Sequence, residues 1–267
     1  MKGNDKLYDR IGLDYNSTRQ ADPYITERIF HLLSPEKNKL YLDIGCGTGN
    51  YTIKLSDKGF DFWGIDPSAQ MLNEAKSKSG NIKWLEGSSE RIPAEDEAFD
   101  GVIASLTIHH WSNLEKSFEE LFRVMKPGSK FILFTSTPEQ MKGYWLNHYF
   151  PEILKRAADQ MPPFEKVKMA LKEAGFKIST TEKYYVKEDL KDYFLYSGKY
   201  NPQLYFDPMI RNGISSFADV SFRQEIENGL KLLTSDIETN KFIEISDRFR
   251  NDHGDYLFIV VEKINGK

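Results

Sequence analysis

The chain has 267 residues, which suits one large domain or one domain with a sizeable insertion and can bury a core without disulfides. Its hydrophobic fraction of 40% is ordinary for a globular protein, and no run of about 18 apolar residues predicts a membrane-spanning helix. The net charge of -4 provides no overall basic field that would gather nucleic acid.

The cysteine content limits the chemistry further. The single cysteine, Cys46, excludes an internal disulfide and a cysteine-rich zinc site. The first six residues, MKGNDK, lack the apolar stretch of a signal peptide. We therefore expect a cytoplasmic protein that uses no metal and binds neither nucleic acid nor a membrane.

The first half of the chain alternates short apolar runs with helix-patterned stretches. The predicted strands cover residues 40–44, 62–65, 82–85, 99–104 and 130–134. The predicted helices cover residues 51–58, 69–78 and 114–125, and Ser68 is suited to cap the second of them. Because parallel neighbours need a crossover connection, this alternation predicts a doubly wound, Rossmann-like α/β sheet.

The second half adds two strands and an insertion. Residues 150–174 predict a helix broken near a Pro-Pro pair, followed by a strand over 176–186 and a final strand over 255–262, which gives about seven strands. Residues 187–253 have no room in a simple sheet and are predicted to be mostly helical. We therefore divide the chain into a core of residues 1–186 plus 254–267 and a helical insertion of residues 187–253 that covers the mouth of the sheet.

The most informative segment is the sequence DIGCGTG at residues 43–49, where the first strand turns into a helix. In such sheets, ligands bind outside the carboxyl ends of the strands. Gly45 permits the tight turn, Gly47 lets backbone approach a ligand, and Gly49 lets the next helix pack closely. A dinucleotide site uses G-x-G-x-x-G to hold a pyrophosphate, whereas this spacing is G-x-G-x-G, and the Asp43 carboxylate would repel a pyrophosphate. That carboxylate instead suits a ligand with a cationic amino-acid end.

Residues 42–49, LDIGCGTG, resemble the first motif of class I S-adenosylmethionine-dependent methyltransferases, and most of all the ubiquinone/menaquinone-biosynthesis type. That broad group acts on many small-molecule acceptors. The resemblance covers roughly residues 7–136 and implies a Rossmann-like fold with S-adenosyl-L-methionine as the cofactor. The residues of the turn that it places at the cofactor are Asp43, Gly45, Cys46, Gly47 and Gly49.

The second strand ends in a further element of the resemblance. Asp66 lies about 20 residues beyond the glycine turn, where a carboxylate can accept charge-assisted hydrogen bonds from both ribose hydroxyls. Pro67 follows it, and Met71, one turn into the helix, resembles the residue that packs on the adenine. The alternatives are that Asp66 is only a charge at a helix N-terminus and that Met71 only fills the core.

The loop after the third strand departs from the family pattern. Residues 87–93 resemble the adenine-edge loop, in which an acidic residue commonly occupies the position of Ser88. The Ser88 hydroxyl can still accept a hydrogen bond, and Ser89 can offer a backbone amide to the ring. The alternative is an ordinary polar turn, so the adenine contacts stay open.

The fourth strand leads to the predicted place of methyl transfer. The resemblance places backbone at Ser105 and Leu106 beside the methionine part of the cofactor, with His109 and His110 near the acceptor. An in-line displacement needs alignment above all, and a base helps only when the acceptor must lose a proton. His110 is the candidate catalytic residue, and the alternative is a structural histidine that fixes this loop.

The N-terminal residues 7–19 are similar to a segment that closes over the cofactor in several small-molecule methyltransferases. Tyr8, Tyr15 and Arg19 are candidates for the methionine carboxylate, and the planar guanidinium of Arg19 suits a carboxylate. The alternative is surface packing of an amphipathic helix.

The insertion and the segment before it are rich in aromatic residues, which suits a flat or apolar acceptor and equally suits a packed insertion core. These residues are Trp145, His148, Tyr149, Tyr193, Tyr196, Tyr200, Tyr205 and Phe206. We predict O-, N- or C-methylation of an aromatic or apolar metabolite. Three alternatives stay open: a non-catalytic cofactor-binding module, a nucleic-acid methyltransferase and a nicotinamide oxidoreductase.

Overall fold

The computed structural model describes residues 18–264, and these form a seven-stranded sheet with helices on both faces. The strands are β1 (Leu40–Ile44), β2 (Asp61–Asp66), β3 (Lys83–Glu86), β4 (Phe99–Ser105), β5 (Met125–Thr135), β6 (Phe176–Tyr184) and β7 (Tyr256–Lys263). Their order is β3-β2-β1-β4-β5-β7-β6. The predicted Rossmann-like fold is confirmed.

The sheet is parallel from β3 to β5, while β7 runs antiparallel to both β5 and β6. The apolar pattern located the last strand but not its direction, because a strand buried on both faces looks the same in either orientation. The carboxyl ends of β1 to β5 therefore meet at one edge, where a doubly wound sheet binds its ligands.

Eleven α-helices lie within residues 18–264. They are α1 (Pro23–Leu33), α2 (Asn50–Ser56), α3 (Ala69–Lys78), α4 (Leu114–Val124), α5 (Pro138–Met141), α6 (Leu146–Tyr149), α7 (Pro151–Gln160), α8 (Phe164–Glu173), α9 (Pro208–Asn212), α10 (Arg223–Glu238) and α11 (Lys241–Arg248). Ser68 accepts a hydrogen bond from the Met71 amide at 3.3 Å and caps α3, as predicted. The short helical turns are 3₁₀ segments at Ile108–His110, Pro202–Phe206 and Val220–Phe222.

Two apolar clusters hold the sheet between its helical layers. Side chains alternate between the faces of a strand, so Tyr41 packs with α1 on one face while Leu42 and Ile44 pack with α4 and α8 on the other. The first cluster continues into the segment between β5 and β6 and into the insertion. The insertion is therefore packed onto the sheet rather than tethered beside it.

The predicted helical character of the insertion is correct only beyond residue 201. Residues 187–201 contain no helix and run as turns and extended backbone. This stretch instead pairs with the N-terminal side of the core: Arg19 and Asp192 form an isolated antiparallel bridge, and the Tyr193 amide donates to the Thr18 carbonyl at 3.1 Å. Pairing with a segment distant in sequence therefore determines the course of residues 187–201, although their apolar spacing predicted a helix.

Within the part of the chain that the structure describes, no helix has the length and apolar character needed to cross a bilayer. The same residues contain no group of three or more His, Cys, Asp or Glu side chains positioned to hold a metal ion.

Candidate active site

A cavity of about 420 Å³ opens at the carboxyl edge of the sheet, a volume within the usual range of small-molecule pockets. Its walls come from the glycine turn, the ends of β2 and β4, the start of α3 and one residue of the insertion. Among the residues predicted for the site, the cavity brings together Arg19, Gly45, Cys46, Gly47, Asp66, Pro67, Met71, Ser105, Leu106 and His110. Residues that were not predicted for the site also line it: Thr48, Asn50, Tyr51, Ser68, Ala69, Glu86, Thr107 and Asp192.

The three glycines of the turn have positive φ angles of +73° at Gly45, +54° at Gly47 and +75° at Gly49. A Cβ at Gly45 would lie 2.1 Å from Thr107 Oγ1, and one at Gly49 would lie 2.4 Å from the Trp84 ring. A Cβ at Gly47 would meet no heavy atom of residues 18–264 within 4 Å. Gly45 and Gly49 therefore serve the packing of the turn, while Gly47 presents bare backbone to the cavity.

The amides of this turn already have protein acceptors. Gly45 and Cys46 both donate to the Ile65 carbonyl, at 2.7 and 3.1 Å. The Gly47 amide donates to Asp66 Oδ2 at 2.8 Å. A phosphate-binding loop instead aims such amides at its ligand. At this turn the group that faces a bound ligand is the Asp66 carboxylate, whereas a phosphate-binding loop presents free backbone amides.

Asp66 joins the glycine turn to the next helix. Its Oδ1 accepts from the Ser68 amide at 2.9 Å while Oδ2 accepts from Gly47, and the residue is 8% exposed. Burial raises the pKa of the carboxyl, and the two amide donors act in the opposite direction. Each carboxylate oxygen retains a second acceptor position, so Asp66 can hold the turn and receive hydroxyl donors from the cavity.

The structure places Asp43 behind the turn instead of on the cavity wall. Side chains alternate along β1, so the Asp43 carboxyl points toward α2, where it accepts from Thr52 Oγ1 at 2.6 Å. Burial raises its pKa to about 7, against the effect of the Thr52 hydrogen bond. The Asp43 carboxyl therefore lies apart from the cavity wall, and the electrostatic role predicted for it stays a prediction.

Three further predicted residues lie away from the cavity wall. Gly49 abuts Trp84, and the buried Ser89 hydroxyl is bonded to Ser117 Oγ at 2.9 Å. Ser88 pairs through its backbone with Arg91. At this edge the wall is formed instead by Glu86, the last residue of β3. The predicted contacts of Tyr8 and Tyr15 lie outside the described residues.

The end of β4 carries strain and an unpartnered polar atom. Leu106 has a φ of +54°, unusual for a residue with a side chain, and its amide donates to the Phe134 carbonyl at 2.8 Å. The buried Ser105 Oγ has no hydrogen-bond partner within residues 18–264. Buried hydroxyls are normally satisfied, so this one suits a polar group of a bound ligand.

The rings of His109 and His110 lie just beyond the end of β4, with centroids 3.8 Å apart and planes tilted by 48°. Burial lowers the pKa of His110 to about 4 and that of His109 well below its usual value. Both rings are therefore neutral at pH 7. His110 lines the first cavity, whereas His109 lines a second one.

Arg19 and Asp192 form a partly buried ion pair on the cavity wall, with 2.5 Å between Arg19 Nε and Asp192 Oδ1. The Tyr51 hydroxyl donates to Asp192 Oδ2 at 3.0 Å, and Asn50 Nδ2 donates to the Arg19 carbonyl at 2.6 Å. Burial and the nearby Asp192 carboxylate raise the pKa of Tyr51, which keeps this hydroxyl protonated. The two ends of the ion pair are 173 residues apart, so no local sequence signal identified Asp192.

A second cavity of about 80 Å³ adjoins the first and shares Arg19 and Leu106 with it. It lies between the core, the segment after β5 and the insertion. Its remaining wall residues are His109, Ser136, Met141, Tyr144, Ala157, Gln160, Met161, Phe194, Leu195, Gly213, Ile214, Ser215, Ser216 and Tyr256.

The aromatic residues expected at the acceptor do not line this second cavity. Trp145 and Tyr205 are fully buried in the core of the insertion and its neighbouring helices, while Tyr200 is 54% exposed. The aromatic wall is formed by Tyr144, Phe194 and Tyr256 instead.

Comparison with known proteins agrees with this geometry. Residues 42–133 match a family model described as a methyltransferase domain. The chain is 31% identical to the demethylmenaquinone methyltransferase of Chlorobaculum tepidum, over 54% of this chain and 68% of that protein. It is also 32% identical to an uncharacterized methyltransferase of Mycobacterium bovis over 53% of this chain, and the match spans only 56% of that relative's length.

The crystal structure of a putative methyltransferase from an antibiotic biosynthesis pathway of Anabaena variabilis superposes with a TM-score of 0.81. Its sequence is 32% identical, and the match covers 92% of this chain and 99% of that one. The likeness thus includes the insertion as well as the sheet. The chain belongs to the class I S-adenosylmethionine-dependent methyltransferases, whose cofactor is S-adenosyl-L-methionine.

Proposed function

We propose that this protein transfers a methyl group from S-adenosyl-L-methionine, held in the first cavity, to a small and largely apolar acceptor held in the second. The single observation that carries the proposal is the commitment of the turn amides. Because Gly45, Cys46 and Gly47 donate to Ile65 and Asp66, these three amides are not available to a dinucleotide pyrophosphate. This favours a sulfonium nucleoside over a nicotinamide dinucleotide.

The cavity residues fit this cofactor by several independent features. Asp66 is suited to the ribose hydroxyls, and Met71, buried at the start of α3, is suited to one face of the base. The open space beside Gly47 allows the ligand to contact backbone directly. The unpartnered Ser105 Oγ and the Leu106 backbone are suited to the methionine part, and Arg19 to its carboxylate.

The cofactor supplies an electrophilic methyl group, and the residues of this chain supply alignment and exclusion of water. Leu106 and Arg19 line both cavities, so they border the path between donor and acceptor. A neutral His110 can accept a proton from an acceptor hydroxyl or ammonium group. Its lowered pKa of about 4 makes it a weak base, which suits an acceptor that is already acidic.

The acceptor is proposed to lie under the insertion. Ser136, Tyr144 and Tyr256 line the second cavity together with methionine, phenylalanine, leucine and isoleucine residues. Such a wall suits a small apolar or aromatic metabolite with one or two polar groups. This assigns the acceptor site to the boundary between the core, residues 1–186 plus 254–267, and the insertion, residues 187–253.

The test combines binding with turnover. S-adenosylhomocysteine is titrated into the protein by calorimetry, and formation of this product is then measured with a panel of aromatic and apolar metabolites. The proposal expects binding and product formation with at least one acceptor. Binding without turnover on any acceptor would indicate a non-catalytic module, and thermal protection by NADH alone would indicate an oxidoreductase.

A substitution in the second cavity tests where the acceptor lies. Met161→Trp fills this space and should abolish turnover while leaving S-adenosylhomocysteine affinity within about twofold. Ile243→Trp is the matched control, because Ile243 is 60% exposed and lines neither cavity. Equal turnover by both variants would place the acceptor elsewhere.

A further inference from the structure

The insertion reaches the cofactor cavity through one acidic residue. Asp192 is 2% exposed and lines the first cavity, although it belongs to the segment that covers the second. Its position is fixed by the backbone bridge to Arg19, by the Tyr193 amide on the Thr18 carbonyl, and by the Lys191 amide on the side-chain Oδ2 of Asp22 at 3.0 Å. These contacts do not use the Asp192 side chain, so its carboxylate is held at the wall independently.

Among residues 18–264, three acidic residues line the first cavity: Asp66, Glu86 and Asp192. Asp66 and Glu86 are register partners at the ends of β2 and β3, which is the part of the wall proposed for the nucleoside. Asp192 instead lies beside Arg19 and Tyr51, the part proposed for the amino-acid end. Asp43, the residue first expected to attract the cationic end, is shielded behind the turn.

We propose that Asp192 binds the ammonium group of the cofactor's methionine end, so that the insertion completes the cofactor site. This inference rests on the proposed function. The amino-acid end carries an ammonium and a carboxylate, and the adjacent charges of Asp192 and Arg19 are complementary to that pair. A carboxylate offers about four acceptor positions, and Arg19 Nε, Arg19 Nη2 and the Tyr51 hydroxyl use three.

Binding of the cofactor's ammonium group by Asp192 also links the two cavities. Phe194 and Leu195 follow Asp192 directly and line the second cavity. A cofactor held by Asp192 therefore also fixes the backbone that carries part of the acceptor wall. Binding of the cofactor should precede and favour binding of the acceptor.

The experiment compares S-adenosylhomocysteine with its analogue that lacks only the amino group, by calorimetry on the full chain. The wild type should bind the amine-containing ligand at least about tenfold more tightly, equivalent to about 1.4 kcal/mol. In Asp192→Asn this preference should fall below about twofold. Asp192→Ser supplies a second variant, with a smaller side chain, for the case in which the asparagine protein does not fold.

Asp236→Asn is the matched control. Asp236 is 3% exposed and belongs to the insertion, where it accepts from the Tyr149 hydroxyl at 3.2 Å, but it does not line the cavity. This variant should lower the melting temperature while keeping the amine preference. The inference is overturned if the wild type shows no preference, or if Asp192 variants lose affinity for both ligands equally. The proposed function fails separately, if the wild type binds neither ligand.

Discussion

The substitution Gly47→Ala tests whether the glycine turn contacts a ligand or serves only to shape the backbone. All three turn glycines have positive φ angles, so replacement by alanine should cost about 1–2 kcal/mol of backbone strain at each. At Gly47, which lines the cavity, the added Cβ meets no heavy atom of the described residues 18–264 within 4 Å. Gly47→Ala should therefore lower the melting temperature by only about 2–8 °C.

We expect Gly47→Ala to reduce the affinity for the ligand as well as the stability of the fold. If cofactor contacts the Gly47 backbone, an extra methyl overpacks that contact by about 1–3 kcal/mol. We therefore expect Gly47→Ala to weaken S-adenosylhomocysteine binding by about 5- to 150-fold, measured by calorimetry below the melting temperature. Differential scanning calorimetry on the same samples measures the change in stability.

Gly49→Ala provides the control, since it shares the strain but has a different neighbour. Its Cβ would lie 2.4 Å from the Trp84 ring and outside the cavity wall, so it should lose more stability than Gly47→Ala and less affinity. Wild-type affinity in a folded Gly47→Ala protein would refute the reasoning, because the backbone would then not approach the ligand.

Two further predictions concern single residues at the cavity. Asp66→Ala should weaken S-adenosylhomocysteine binding by about 1.5–3 kcal/mol, the range for hydrogen bonds to a charged group, and unchanged affinity by calorimetry would remove Asp66 from the ribose. The pKa of His110 falls from 6.5 to about 4 on folding, so below pH 6.5 the unfolded chain takes up a proton that the folded chain does not. The free energy of unfolding should therefore decrease by up to about 3 kcal/mol between pH 6.5 and 4, and urea titrations should show a shallower decrease in His110→Gln. Equal pH dependence in the two proteins would contradict the burial of a neutral His110.

The sheet could be predicted from the sequence because each strand's signal is local. β1 matches its predicted bounds, and the glycine turn, Asp66 and the Ser68 cap follow from residues close together in the chain. The direction of β7 and the extended course of residues 187–201 could not be predicted in the same way. Both depend on pairing between segments distant in sequence, which local apolar spacing does not encode.

The differences between the predicted site and the observed cavity wall have the same origin. Asp43 was expected at the ligand because it adjoins the glycines, yet strand alternation turns its side chain toward Thr52. Asp192 was missed because it meets Arg19 only through the tertiary fold. Ser88 was judged by its place in a motif, whereas Glu86 occupies the cavity wall at that edge.

The most direct test of the account is a crystal structure of the full chain with S-adenosylhomocysteine. We expect the nucleoside between the glycine turn and α3, with its ribose hydroxyls on Asp66 and its amino-acid end beside Arg19 and Asp192. Ligand density outside the first cavity, or a turn whose Gly47 backbone does not touch the ligand, would contradict the central claim.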